Sequence, residues 1–219
     1  MRRVRGWGAR ITVVIAAATV LAACGAASSL ATGDPVHDLI TLDQLAVADF
    51  TVSSPAAHVD ASTLAGGDAA LASALTTGGL ESAASVEYQR GIDFSTSNGP
   101  IDVVSTVMRF ASVGGATGAY NANVKQLDAI SGAVPTSTGP LGDEGHSISV
   151  VRTTSGGLQA VEITVVWRLG NLLNIIIARG RYGGTRLDDV LVLAGVQTQN
   201  ESSVGQGRRG PRQRLNSPV

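Results

Sequence analysis

Gly142-Asp143-Glu144-Gly145-His146 is the densest run of chemistry-bearing side chains in the chain. Two carboxylates and an imidazole are the groups that hold a divalent metal or move protons. Their setting argues otherwise. Gly142 and Gly145 flank the acids, which suits a turn better than a rigid ligand platform. An alternating apolar run begins just beyond, at Ile148. The other two histidines lie far away, His37 in an Ala/Ser/Gly/Thr-rich segment and His58 beside a Pro-Ala-Ala run. The expectation is a polar turn with no metal at Asp143, Glu144 and His146, so that losing both acids changes stability only modestly. The chain also has no Gly-x-Ser-x-Gly elbow, no His-Glu-x-x-His pair and no phosphate-binding loop. A triad assembled from distant Ser, His and Asp is invisible in sequence order. The reading is a non-catalytic protein without a cofactor.

Cys24 is the sole cysteine and carries a different chemistry. Met1 to Arg10 holds four arginines and no acid, and Ile11 to Ala23 is almost wholly apolar. The stretch closes on Leu21-Ala22-Ala23-Cys24-Gly25. That is a charged region, an apolar region and a small-residue cleavage site. A membrane span needs about 20 apolar residues. This run is shorter, and small residues follow it in place of a basic flank. The segment resembles a bacterial lipoprotein signal with its lipobox; a plain secretory signal is the alternative. The resemblance implies that residues 1–23 are removed and that Cys24 receives a diacylglyceryl thioether. The protein would then be exported and lipid-anchored on the extracytoplasmic face of the cell membrane. Two acyl chains, at about 0.8 kcal/mol per buried methylene, suffice for stable anchoring. Exported domains often rely on disulfides. With its one thiol lipidated, this domain must rely on packing.

Composition narrows the class. The chain has 219 residues, 44% of them hydrophobic and only 4% aromatic. A substantial core is affordable, and it must be built from Val, Leu, Ile and Ala. The net charge of -1 conceals a segregation. The signal and the last twenty residues hold four arginines each, while the body between them carries twice as many acids as bases. An acidic exported body excludes nucleic acid as a partner class. Residues 24–38 read as a flexible tether rich in small residues. Residues 200–219 read as a disordered basic tail, with Arg208, Arg209, Arg212 and Arg214 as solvated charges. Residues 39–199 are the expected globular domain.

Within that domain the elements that would position any site are legible. Leu39 to Ala46 suggests a short helical turn. Ser62 to Leu75 is helix-like, weakened by Gly66-Gly67 and stopped by Gly78-Gly79. Val86 to Phe94 and Ile101 to Phe110 are strand-like around Asn98-Gly99-Pro100. Ser112 then reads as the N-cap of a helix carrying Val113, Ala116, Tyr120, Val124 and Leu127 on one face. Ile148 to Thr153 and Leu158 to Leu169 are strands, and Gly170-Asn171 is a two-residue turn into a third from Leu172. That turn predicts Leu169 opposite Leu172 and Glu162 opposite Arg179, a favourable cross-strand pair. Both faces of this hairpin are apolar, so both must be covered. Thr185 with Asp188 reads as a capping box opening a last helix. The expected fold is α+β, with a mainly antiparallel sheet of about five strands and helices packed on it.

Leu141-Gly142-Asp143-Glu144, the run Trp167-Arg168-Leu169-Gly170-Asn171 and the final helix together resemble exported sensor-like domains. Such domains occur as actinobacterial lipoproteins and as the extracellular parts of serine/threonine kinases. The segment Val103 to Tyr120 is similar to theirs as well. The kinase domains are stapled by paired cysteines, which this chain lacks. The resemblance implies binding of a ligand or protein partner at the cell surface. The alternative is a carrier of lipid or another apolar ligand, suggested by the two apolar sheet faces and small helix residues.

Overall fold

The computed structural model describes residues 30–206. Cys24, the signal and residues 207–219 lie outside them. The Gly170-Asn171 turn organises the centre of the fold. Gly170 takes φ 59° while Asn171 keeps negative φ, the pattern of a type II′ turn that matches the right-handed twist of the strands it joins. It links β6 (Gln159–Leu169) to β7 (Leu172–Arg181), with Leu169 opposite Leu172 and Glu162 opposite Arg179, as the turn predicts.

Around this hairpin lies one seven-stranded sheet in the order β1-β2-β3-β7-β6-β5-β4, antiparallel at each pairing. β2 is Leu80–Arg90, β3 is Asp102–Phe110 and β5 is Glu144–Thr153. The α+β reading holds, but the sheet has seven strands where about five were expected. The additional pair, β1 (Phe50–His58) and β4 (Ala133–Thr136), are the two edges, and each contains a proline, Pro55 or Pro135. Proline cannot donate to a ladder and is confined to edges and bulges. Pro55 sits between two register shifts in the β1–β2 pairing. The residue that protects each edge from further pairing is also the one that hides the strand in the sequence.

Side chains alternate across the sheet and build two cores. Val86, Tyr88, Val103, Val107, Ile163, Val165, Trp167 and Ile176 face one way, beneath Leu39, Ile40, Val190, Leu193 and Ala194. Ala83, Met108, Phe110, Val166 and Leu173 face the other, beneath Leu71, Leu75, Ala116, Ala119 and Tyr120. The helices of this second face are α1 (Ala61–Leu64), α2 (Ala69–Thr77) and α3 (Val113–Asp128). Gly66 and Gly67 divide the expected single helix into α1 and α2. Ser112 caps α3 by accepting from the Gly115 N–H at 3.0 Å.

The first face is covered by α4 (Leu187–Gln206) and by residues 30–47, which carry 3-10 turns at Pro35–Asp38 and Leu42–Gln44. The capping of α4 sits one residue later than expected. Arg186 N–H donates to Asp189 at 3.3 Å, while the Thr185 hydroxyl is buried without a partner. The packed domain also runs past the expected 39–199 bounds. Ala31 is hydrogen-bonded to Asn171, and the boundary at residue 199 falls inside α4.

Candidate functional site

The structure separates the residues of the Asp143–His146 run. Asp143 Oδ2 accepts from Arg168 Nη1 at 2.8 Å and from the Gly170 N–H at 2.8 Å. Glu144 Oε1 accepts from Arg168 Nη2 at 3.0 Å. His146 turns to Asp128 at the end of α3, with Nε2 and Oδ1 2.9 Å apart. The acids therefore clamp a buried guanidinium, and the imidazole serves a different contact. Gly142, at φ 60°, lies so close to β6 that a Cβ there would collide with the Arg168 carbonyl. Asn171 ties the same corner to Ala31 and to the Phe110 carbonyl. Asp143, Glu144, Arg168 and Gly170 thus bond to one another and fasten the 141–144 turn to the β6–β7 hairpin. No group of three or more His, Cys, Asp or Glu side chains able to hold a metal occurs among the described residues.

Two further buried acids lie on the first face, where sequence reading placed tether and tail. Asp38, 5% exposed, comes from the first 3-10 turn, and Glu201 comes from the C-terminal part of α4. Asp38 Oδ1 and both Glu201 carboxyl oxygens are buried without a hydrogen-bond partner. Burial pushes Asp38 up to about 6, against the pull of His37 and Arg109. Burial pushes Glu201 up to about 8, reinforced by Asp38 and opposed by the Asn174 amide. Beside them runs a buried polar chain. Ser105 donates to Gln197 Oε1 at 2.7 Å, and Gln197 Nε2 donates to Asn174 Oδ1 at 3.1 Å. Asn200 donates to the Leu39 carbonyl at 3.0 Å. Glu201 was missed because Asn200 to Val219 has no apolar periodicity. Gln197, Asn200 and Glu201 do fall on one helical face, a spacing of three and four that could have found them.

An apolar opening lies at the opposite end of the sheet. A cleft of about 420 Å³ is walled by Leu45, Val47, Phe50, Val103, Val192 and Leu193, with Asn98, Arg186 and Asp189 among its polar groups. It is held by the start of α4, the loop after the second 3-10 turn and the Asn98-Gly99-Pro100 turn. The Gly99 N–H donates to the Gly184 carbonyl at 2.8 Å, which fixes that turn against the end of β7. Val192 is 59% exposed, while Phe50 at the floor is 8% exposed. The cleft is an apolar trough with a polar edge, open to solvent. A smaller cleft of about 310 Å³ lies between β5, β6 and Tyr182. Among the described residues no helix is long and apolar enough to cross a membrane.

No family model matches the chain, and no curated protein matches it. Among solved structures it is similar to the extracellular domain of PknH from Mycobacterium tuberculosis, at 12% identity and a TM-score of 0.45. That match covers 76% of this chain and 93% of the other.

Proposed function

We propose that the chain is a lipid-anchored, exported protein whose α+β domain is a non-catalytic binding module. Its cleft at the Phe50–Leu193 end receives a ligand or a protein partner. The observation that carries this reading is the placement of the cleft relative to the chain's entry point. Ala31 is fastened to Asn171, at the β6–β7 turn. The cleft lies where β7 ends, ten residues further along the sheet. At about 3.4 Å per residue that is a separation of roughly 30 Å. Cys24 precedes Ala31 by only a few residues, a reach of at most about 25 Å. A lipid on Cys24 would hold the Asn171 end toward the membrane and turn the cleft outward. The potential metal and proton-transfer residues are committed elsewhere, Asp143 and Glu144 to Arg168 and His146 to Asp128. That commitment supports binding over catalysis.

Two experiments test the reading. Cys24→Ser removes the only thiol, and serine offers no thiolate for acylation. The variant is expected to leave the detergent phase that wild type enters; equal partitioning would reject the anchor. Native mass spectrometry of protein purified from its own host is expected to show an added mass that Val192→Asp loses. Bare mass in both would reject the cleft as a ligand seat, leaving a protein partner to be sought. The apolar walls favour the carrier as second reading, and an extracted acyl lipid would establish it.

A further inference from the structure

The body of this chain is acidic, yet the arginines without an acid partner gather at one place on it. Arg109, Arg168 and Arg179 are ion-paired. Arg90, Lys125, Arg152, Arg181 and Arg186 form no ion pair among the described residues. Residues 1–29 and 207–219 contain no Asp or Glu that could supply one. Of these bases, Arg90, Arg181 and Arg186 stand at the cleft between Phe50 and Leu193.

Arg186 is a lining residue, exposed, and its guanidinium has no hydrogen-bond partner among the described residues. Arg90 Nη1 donates to the Asn98 carbonyl at 3.0 Å and the Pro100 carbonyl at 3.3 Å. Its guanidinium carbon lies 5.7 Å from the centre of the Phe50 ring. Asn98, Pro100 and Phe50 all line the cleft. Arg181 Nε donates to the Ser97 carbonyl at 3.1 Å, and its Nη2 lies beside the lining residue Gly184. Backbone carbonyls thus fix Arg90 and Arg181 in place without cancelling their charge. The acid among the lining residues is Asp189, whose Oδ2 is engaged by the Arg186 N–H at 3.3 Å. Asp93, from the turn before Ser97, is engaged by the Ser95 N–H at 2.8 Å. Asp49 and Asp188 are exposed, and neither lines the cleft.

We propose that this cleft, on the reading of it as the binding seat, takes a single-chain amphiphile with an oxyanion head. The alkyl chain lies along Phe50, Val103 and Leu193, and a carboxylate or phosphate head meets the Arg186 guanidinium at the edge. A guanidinium presents paired N–H donors that match two oxygens of such a head. Arg90 and Arg181 add positive potential from fixed positions, and the apolar walls focus that field. The cleft, at about 420 Å³, is near the low end of the roughly 300–1,000 Å³ of small-molecule sites, which suits one chain rather than two. A neutral ligand would leave the three charges unanswered, and a cationic one would be repelled by them.

Titration calorimetry on the full chain carrying Cys24→Ser tests this, since that chain offers no acyl group of its own. The probes share one dodecyl chain and are used below their micelle concentrations: dodecanoate, dodecyl phosphate, dodecanol and dodecylamine. At least one anion is expected to bind on the order of tenfold more tightly than dodecanol, the size of one charge-assisted contact, with dodecylamine weakest. The tighter of the two anions tells a carboxylate head from a phosphate. Arg186→Gln is expected to weaken the anion on the order of tenfold and to leave dodecanol unchanged. Arg186→Lys keeps the charge and is expected to recover part of that loss. Lys125→Gln, on α3 over the other face, is expected to bind like wild type. The proposal is overturned if dodecanol or dodecylamine binds as tightly as both anions. It is also overturned if Arg186→Gln weakens the anion no more than Lys125→Gln does. In either case, probe binding that Val192→Asp abolishes would keep the cleft as a ligand seat. If no probe binds, the proposal falls, and bare mass in the native spectrum decides whether the seat falls with it.

Discussion

Two pairs of carboxylates sit at different places on this sheet, and they are held in opposite ways. Asp143 and Glu144 close on the Arg168 guanidinium, which is 8% exposed and also donates to the Gly170 carbonyl. Asp38 Oδ1 and both Glu201 carboxyl oxygens are buried with no hydrogen-bond partner among the described residues. The first pair is fastened by charge. The second lies without such a partner among the described residues, and burial raises both carboxyls. Acids of the same type therefore form an ion-paired clasp in one region and lie as buried, upshifted carboxyls in the other. The deciding factor is the surroundings that the fold delivers, an arginine on β6 or a desolvating interior.

The largest expected effect is at the clasp. Asp143→Ala with Glu144→Ala strands a buried guanidinium, and losing the partners of a buried charge costs about 3–5 kcal/mol. Urea denaturation at pH 7 is expected to show a loss near the lower bound, because both acids are partly exposed. A loss below about 1 kcal/mol would make the clasp no stronger than a surface pair. This revises the modest change expected from reading the acids as a free turn. An intermediate effect of the opposite sign is expected at the second pair. Glu201→Gln removes a buried uncompensated carboxylate and should stabilise by on the order of 1 kcal/mol at pH 8.5, and by less at pH 5.5. Equal gains at both pH values would remove the contrast between the pairs. The smallest effect is expected at Glu162. Its partner Arg179 is 44% exposed at the side chain and keeps Asp102 at 2.8 Å. Glu162→Ala should cost about 0.5 kcal/mol, and less at high salt.

The hairpin shows what local reading can reach. Gly170-Asn171 sets the register, and a pleat of period two carries that register along both strands, so the Glu162–Arg179 ion pair follows from a turn eight residues away. The Ser112 cap was legible for the same reason, since a cap and its N–H partner lie within one turn. The edge strands were not, because Pro55 and Pro135 erase the alternation that marks a strand. The cleft was legible only as scattered apolar residues. Phe50, Val103 and Leu193 share no spacing, and they meet because β1 and β3 flank β2 in the sheet and α4 packs on the same face.

By itself the sequence determined the α+β class, the central register, the turn chemistry and the need to cover two apolar sheet faces. Each of these depends on residues a few positions apart, where backbone geometry is enough. Tertiary structure alone decided which acids gain a cation, that Asp38 and Glu201 are drawn into the interior, and that Asp143 and His146 part company. Burial and charge pairing are set by residues distant in sequence. The free energy of a carboxylate depends on that surrounding far more than on its immediate neighbours in the chain.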